Sequence, residues 1–401
     1  MAVTINGTTG IDKVQDGTIV TADIADSNIT TAKIAADAVT ASKLNVGQLS
    51  HRNLIINGAM QIYQRGVGTL ASGQFGLDRF MFASANLDNL AGTMTKDSDA
   101  PDNFSSSLKI TVTTAETSIA SDEYAYLHQR IEAQNLQGLG YGTSSAKQVT
   151  LSFWVKSSVT GTFVVNLYKG DNTGQIHNKT YTINSANTWE YKTVTFSANT
   201  LAGGAIDNDN GIGFYVSWHL GAGSNWKGTS SSSGWITYVG SAWADGQDTD
   251  AVLTTTNATW QITGVQLEVG SEATPFEHRP YGDELARCQR YYQVLIDNAN
   301  GQRAVAAGRA NSTSSIEFQL PLTVGMRDIT SLPQSNMGTI YLYSGGARVN
   351  TSGGVISLND DYLPGSSYVY LRTTGASVSD DRAYTLGGFE TNAHLAVDGE
   401  L

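Results

Sequence analysis

Eight apolar residues recur at five-residue intervals near the start of the chain. They are Val14, Ile19, Ile24, Ile29, Ile34, Val39, Leu44 and Leu49. A step of five advances an α-helix by about 140° and changes face in a strand, so neither element buries all eight on one side. Short turns in an extended run, each offering one apolar residue to a shared axis, fit the pattern. Because one chain cannot offset the entropy of ordering such a segment, we expect several copies to wind together as an oligomeric stem.

Further along, apolar and polar residues alternate with the period of two that is typical of β-strands. In Val149–Val155, one face carries Val149, Leu151, Phe153 and Val155, and the other carries Thr150, Ser152 and Trp154. The same alternation occurs in 108–112, 212–218 and 265–269, with turns rich in Gly, Asn and Asp between the runs. Residues 53–280 are therefore predicted to form an antiparallel β-sandwich of the jelly-roll type.

The last part of the chain indicates a short linking helix followed by more strands. Leu285, Cys288, Tyr292 and Leu295 fall at helical spacing, which predicts a helix over Asp283–Leu295 with Arg287 and Arg290 pointing away from its buried face. Strands are predicted at 315–320, 339–343, 368–372 and 393–397.

The distribution of aromatic residues supports three parts. Residues 1–52 contain no aromatic residue, and all seven tryptophans lie between 53 and 280. We therefore predict an all-β protein with a stem (1–52), a jelly-roll domain (53–280), and a linking helix with a C-terminal β-sandwich tip domain (281–401).

Charge and composition exclude several partners. The formal net charge is −12 with no run of Lys or Arg, so neither a nucleic-acid surface nor an anionic membrane surface is expected. The N-terminal residues resemble no signal peptide, and no apolar run approaches the length that spans a bilayer. Cys288 is the single cysteine, which rules out a disulfide within one chain. We expect it to be a buried thiol.

Motifs of common enzymes are absent from the sequence, including Gly-x-Ser-x-Gly, the phosphate-binding loop and His-Glu-x-x-His. We therefore expect no catalytic residues and no cofactor. Asp207–Gly211 partly resembles a calcium loop, but Gly211 replaces a ligand and Trp218 stands where a closing Glu belongs. An ordinary turn is the favoured interpretation. Paired carboxylates that cut polysaccharide remain an alternative, because 36 acidic residues offer many chance pairs.

Aromatic residues in polar loops are the candidates for carbohydrate contact. Trp226, Trp235 and Tyr238 lie in the Ser- and Gly-rich stretch 221–246, where flat rings could stack on sugars. The alternative is that they plug the end of the sandwich or an oligomer interface. A competing candidate is the strand face that carries Tyr368, Tyr370 and Arg372. Trp154, Trp189, Trp218 and Trp260 are expected to pack inside the sandwich.

Two sequence motifs resemble those of a known family. The first motif, Asn53–Gly66, reads NLIINGAMQIYQRG and resembles the beginning of the carbohydrate-binding-module-like domain of phage tail fibres. The second motif, Gly264–Tyr292, contains GVQLEVG, ATPFE and ELARCQRYY and resembles the end of that domain. The threonine-rich repeats of residues 18–44 are similar to the particle-proximal stems of such fibres.

The resemblance implies a homotrimeric tail fibre that attaches a virion to its host. Residues 1–52 would join the phage tail or an adaptor protein, and a host surface glycan would be the receptor. The protein would be made in the host cytoplasm and incorporated into the virion tail. Two alternatives stay open, namely a depolymerase tail spike and a purely structural spacer fibre.

Overall fold

The structure is a computed structural model of the chain. It describes residues 51–229, 233–298, 304–335, 341–344, 347–350, 356–358, 364–374, 378, 382–387 and 393–401. The predicted trimeric stem, with its eight apolar positions, lies outside these residues. Among the described residues, no helix is both long enough and apolar enough to cross a membrane.

The strands before residue 270 form two antiparallel sheets. They are β1 (Gly68–Thr69), β2 (Phe75–Leu77), β3 (Phe80–Ala85), β4 (Ala91–Asp97), β5 (Ser107–Thr114), β6 (Tyr124–Glu132), β7 (Val149–Ser157), β8 (Gly161–Lys169), β9 (Gln175–Ile183), β10 (Glu190–Phe196), β11 (Ile212–Ala222), β12 (Ile236–Thr237) and β13 (Thr259–Val269). Sheet A has the order β1-β4-β5-β13-β7-β10, and sheet B has the order β12-β9-β8-β11-β6-β3-β2. Many successive strands cross from one sheet to the other, as a jelly-roll sandwich requires.

The predicted alternation decides which residues fill the space between these sheets. Val149, Leu151, Phe153 and Val155 are fully buried in a core that side chains of both sheets share. Trp218 and Trp260 are also fully buried there, which confirms their predicted packing role. The all-β sandwich is therefore confirmed for this part of the chain.

The linking helix is shorter than predicted. Helix α2 spans Tyr281–Gln289, after the one-turn helix α1 (Ala251–Thr254). Tyr292 and Leu295 belong instead to strand β14 (Tyr292–Asn298), which pairs with β23 (Ala393–Asp398). Helical spacing alone misassigned them, because pairing with a strand about 100 residues away outweighs local periodicity. The expectation of a buried Cys288 thiol is confirmed, and burial raises the pKa of that thiol.

The C-terminal strands form two further sheets. Besides β14 and β23, they are β15 (Ala304–Ser312), β16 (Ser315–Pro321), β17 (Gln334–Ser335), β18 (Tyr341–Ser344), β19 (Ala347–Asn350), β20 (Ile356–Leu358), β21 (Tyr368–Thr374) and β22 (Ala383–Gly387). Sheet C has the order β14-β23-β17, and sheet D has the order β19-β18-β22-β15-β16-β21-β20. A second apolar core, which includes Phe318, Leu371 and Val397, draws residues from both sheets. The strands predicted at 315–320, 368–372 and 393–397 are confirmed.

Buried ion pairs join helix α2 and the C-terminal strands to the sandwich. Glu132 is fully buried and accepts hydrogen bonds from Arg290 and from the hydroxyl of Tyr291, the latter at 2.5 Å. Burial alone would raise the pKa of Glu132, but these bonds outweigh burial and hold that pKa below its usual value. Arg290 therefore does not point away as predicted. Arg65 lies over the ring of Tyr292 and pairs with Asp398 at 2.7 Å.

The first and second motifs lie side by side. The backbone N–H of Leu54 donates to Leu267 O at 2.8 Å, and the side chain of Asn53 donates to Val265 O at 2.9 Å. The N–H of Asn53 also donates to the carboxylate of Glu277 at 3.0 Å. The chain thus enters and leaves the sandwich at the same place.

Candidate functional site

An aromatic groove crosses the outer face of sheet A. Trp154 on β7 points outward because its neighbours Phe153 and Val155 point into the core. Tyr191 lies directly opposite it on the edge strand β10, with ring centroids 5.3 Å apart. Trp154 is half-buried, and Tyr191 is 45% exposed. These two rings, whose planes are tilted by 48°, give one side of the groove an apolar surface that is open to solvent.

Three rings from two loops form the opposite side. Phe104 follows strand β4, whereas Phe276 and His278 follow strand β13 as part of the second motif. The Phe104 ring contacts Phe276 edge-on at 5.0 Å and lies 5.3 Å from His278. The mutual contacts fix the rings at the edge of the groove, although no strand holds them.

Gly264 forms the floor between the two sides. It lies where the register of β13 against β7 shifts, and its φ of +62° is a conformation that favours glycine. A Cβ atom at this position would lie 2.7 Å from Phe104 Cζ and 3.0 Å from Trp154 Cδ1. Only glycine lets both rings approach the backbone this closely.

The groove has the size and the polar groups of a small-molecule site. Its volume is about 460 Å³, and Asp102, Asn103 and Ser152 add polar groups to its aromatic lining. Such pockets combine apolar walls with a few polar groups that orient the ligand. Aromatic faces with hydroxyl and amide partners suit a sugar ring, whose C–H face stacks while its hydroxyls form hydrogen bonds.

A charged pair holds another ring on the same face. Lys156 donates to the carboxylate of Asp99 at 2.6 Å, and the indole N–H of Trp189 donates to the other oxygen at 3.0 Å. The first of these bonds does most to hold the pKa of Asp99 below its usual value. Trp189 is half-buried here rather than packed inside the sandwich, so its predicted core position is wrong.

The structure separates the three predicted contact residues of the Ser- and Gly-rich stretch. Trp235 is 7% exposed and belongs to the sandwich core, where it stacks on Phe214 at 6.0 Å. Its indole N–H donates to Ser197 O at 2.8 Å. Trp235 is therefore too buried for the predicted stacking on a sugar, because its ring packs among Tyr141, Phe214 and His177. This buried position fits the alternative interpretation of Trp235, in which the ring fills space in the sandwich instead of contacting a ligand.

Trp226 and Tyr238 are half-buried on the outer face of sheet B. Trp226 meets Tyr124 edge-on at 4.7 Å, and Tyr238 meets Trp243 edge-on at 5.7 Å. Residues 224–229 and 233–246 lie over this sheet face, and Trp243 is only 7% exposed. The backbone carbonyl of Trp243 accepts a hydrogen bond from Asn166, which also contacts His219. We call this the covered face.

The C-terminal candidates do share a strand face. The rings of Tyr368 and Tyr370 meet edge-on at 5.2 Å, and each is 38% exposed. Arg372 is not free for a ligand, since its guanidinium donates to Glu317 at 2.8 Å. The two tyrosines form an exposed pair without the enclosure that the groove provides.

The loop that partly resembles a calcium site is a turn. The N–H of Gly211 donates to Asp209 Oδ1 at 2.9 Å. Nearby, the fully buried ammonium of Lys169 donates to backbone carbonyls of Gly203 at 2.9 Å and Ala205 at 3.3 Å. Within the described residues, no group of three or more His, Cys, Asp or Glu side chains is arranged to hold a metal ion.

Sequence reasoning missed the groove residues. The alternation placed Trp154 on the polar face of its strand, and this position is the signal that could have identified it. The expectation that Trp154 packs inside the sandwich is wrong, because no second layer covers that face and the ring is half-buried at the groove. A tryptophan between Ser152 and Lys156 on such a face is surface-directed unless another layer covers it. Phe104 and Phe276 lie in loops, and no local periodicity brings them together.

Comparisons with known proteins give partial structural similarities at low sequence identity. No protein-family model matches the chain, and no curated protein matches it. A bacteriophage CBA120 tailspike protein 4 domain is 15% identical with a TM-score of 0.29, covering 54% of this chain and 21% of that one. The matched region therefore spans about one fifth of that tailspike chain.

Two other solved structures align with a similar share of this chain. A putative sugar binding protein from Bacteroides thetaiotaomicron is 13% identical, with a TM-score of 0.30, covering 54% of this chain and 100% of that one. A family 11 carbohydrate-binding module from Clostridium thermocellum, in complex with a tetrasaccharide, is 11% identical, with a TM-score of 0.25 and coverages of 52% and 100%. With TM-scores this low, function rests on the geometry of the groove.

Proposed function

We propose that this chain is a non-enzymatic phage tail-fibre protein that binds a host surface glycan in the groove on sheet A. The observation that carries the proposal is the pair Trp154 and Tyr191, which faces Phe104 and Phe276 across a floor of glycine. The resemblance of the first and second motifs to tail-fibre sequences supports the biological setting. Residues 1–52 would attach the fibre to the phage tail, and the protein would reside in the virion.

A glycan microarray tests binding, with the double variant Trp154→Ala plus Tyr191→Ala beside the wild type. The matched control, Trp226→Ala plus Tyr238→Ala, removes the same ring types from the covered face. Each stacking ring contributes about 0.5–1.5 kcal/mol, so the groove variant, which lacks two rings, is expected to bind about 5- to 150-fold more weakly. If both variants lose glycan affinity equally while their melting temperatures stay unchanged, the assignment of glycan binding to the groove is contradicted.

The exposed tyrosine pair is the competing site. Alanine at Tyr368 plus Tyr370 is compared with the groove variant in a cell-adsorption assay. The proposal expects adsorption to fall in the groove variant and to persist in the tyrosine variant. The reverse result would move receptor contact to sheet D.

Two alternatives from other functional classes have their own assays. A reducing-sugar assay on the bound polysaccharide would reveal a depolymerase. A spacer fibre would fail to block phage adsorption when the purified protein is added in excess.

The proposed trimer is tested by light scattering. Three chains of 42.6 kDa give about 128 kDa (3 × 42.6). A stable monomer at micromolar concentration would contradict the proposed assembly through Val14 to Leu49.

A further inference from the structure

The groove carries a negative charge that its own lining does not compensate. Of the ten described residues that line it, Asp102 is the only carboxylic acid and His278 the only histidine, and none is a lysine or arginine. Asp102 is exposed, in the loop that also supplies Phe104. An ionised carboxylate accepts hydrogen bonds and donates none.

Cations on the same side of the sandwich already have partners. Lys156 pairs with Asp99 at 2.6 Å, and Lys109 pairs with Asp97 at 2.9 Å. Arg279 lies 3.3 Å from the carboxylate of Glu284. Arg52 donates to the backbone carbonyl of Pro275 at 3.2 Å from outside the lining. The described residues therefore place no unengaged cation in the groove to receive an anionic ligand.

We propose that the groove selects neutral glycans and rejects acidic ones, an inference that rests on the proposed carbohydrate binding. Sugar hydroxyls donate to the Asp102 carboxylate, whereas Asn103 can both donate and accept. A uronic acid, sialic acid, phosphate or sulfate group in the same position meets Asp102 as a like charge, which costs binding energy. The formal net charge of −12 also disfavours the approach of a polyanion.

The experiment uses the full chain on an array of neutral, uronic-acid, sialylated and phosphorylated glycans. Binding is measured at pH 8, above the range in which histidine ordinarily becomes charged. Four proteins are compared: the wild type, the Trp154→Ala plus Tyr191→Ala variant, Asp102→Asn, and Asp88→Asn. Asp88 is exposed and lies outside the groove lining, so Asp88→Asn makes the same change in net charge as a matched control.

The expected result is that neutral glycans bind and their acidic counterparts bind at least about tenfold more weakly. Asp102→Asn should reduce the difference in affinity between neutral and acidic glycans, whereas Asp88→Asn should leave that difference unchanged. The Trp154→Ala plus Tyr191→Ala variant should no longer bind neutral glycans. Acidic glycans that bind equally well or better, through Trp154 and Tyr191, would overturn this inference and retain the proposed function. An unchanged difference in Asp102→Asn would overturn the role of Asp102. No glycan binding, or binding that is indifferent to Trp154 and Tyr191, would overturn the proposed function itself.

Discussion

The two outer faces of the sandwich carry aromatic residues in opposite arrangements. On sheet A, Trp154 and Tyr191 form one side of a groove that is open to solvent. On sheet B, a loop lies over the sheet, and Trp243 packs between Tyr126 and Tyr168 at 5.3 and 5.5 Å. The local sequences suggest the reverse, since the tryptophan-rich loop is polar and Trp154 lies within a regular strand. Exposure therefore depends on whether a second layer covers a face.

The difference also separates two energetic roles for aromatic rings. A ring under a covering layer stabilises the fold through buried area and packing. A ring in an open groove keeps part of its surface available for a ligand, and this surface is buried only on binding. The following predictions test this distinction, from the largest expected effect to the smallest.

Removing a buried ring should have the largest effect on stability. Trp235→Ala is expected to lower the free energy of unfolding by about 3–5 kcal/mol, because it leaves a cavity between Phe214 and Tyr141. Trp154→Ala, at a half-buried position on the groove, should cost less than about 1.5 kcal/mol. Urea denaturation followed by circular dichroism measures both values. Similar losses of unfolding free energy in the two variants would contradict the distinction between a ring that stabilises the fold and a ring that is available to a ligand.

Acid should weaken the covered face. Burial lowers the pKa of His219 to about 3, so this imidazole stays neutral in the folded protein while it gains a proton in the unfolded chain. Its contribution to stability is complete above an unfolded pKa of about 6.5 and falls with pH below that value. Between pH 7 and pH 5 the loss is about 2 kcal/mol.

Urea denaturation at the two pH values measures this loss. Between these two pH values, the free energy of unfolding of His219→Gln should fall by about 2 kcal/mol less than that of the wild type. His278→Gln, which changes an exposed histidine of the groove, is the control and should keep the pH sensitivity of the wild type. If His219→Gln retains the full sensitivity, His219 is not the source of the effect.

Filling the floor of the groove should impair binding more than folding. Gly264→Ala would place its methyl carbon 2.7 Å from Phe104 Cζ and 3.0 Å from Trp154 Cδ1, closer than van der Waals contact. Because the rings must then shift, affinity for the glycan found on the array should fall at least about tenfold. Gly73→Ala is a matched control, because Gly73 also has a positive φ of +87° and its added Cβ meets nothing within 4 Å. Both variants carry backbone strain of about 1 kcal/mol from the positive φ, so any further loss of stability in Gly264→Ala measures the displacement of the two rings. Unimpaired binding in Gly264→Ala would mean that the ligand lies elsewhere.

Mild oxidation should distinguish the tryptophans without any mutation. With limiting N-bromosuccinimide, half-buried Trp154 and Trp189 are expected to react several-fold faster than fully buried Trp218 and Trp260. Peptide mass spectrometry reads the order of modification. A bound glycan should protect Trp154, and uniform reactivity would contradict the assigned exposure.

Local pattern predicted the strands of the sandwich well and the site poorly. Alternation in Val149–Val155 identified the buried face correctly, since a strand buries every second residue. It could not show whether the opposite face lies open or under another segment, because that depends on residues distant in sequence. Phe104 and Phe276 meet over a separation of 172 positions (276 − 104). Tertiary pairing of β14 likewise ended the predicted helix at Gln289.

Because the two ends of the sandwich lie next to each other, the whole sandwich can be exchanged as one unit. Asn53 and Glu277 are hydrogen-bonded neighbours, so a different sandwich whose two ends lie equally close can be joined to the chain at these two points. The replacement would have to retain partners such as Arg65 and Glu132, which anchor Tyr292 and Arg290. Recombination between genes at these two motifs would thus exchange the groove together with the whole sandwich in one step.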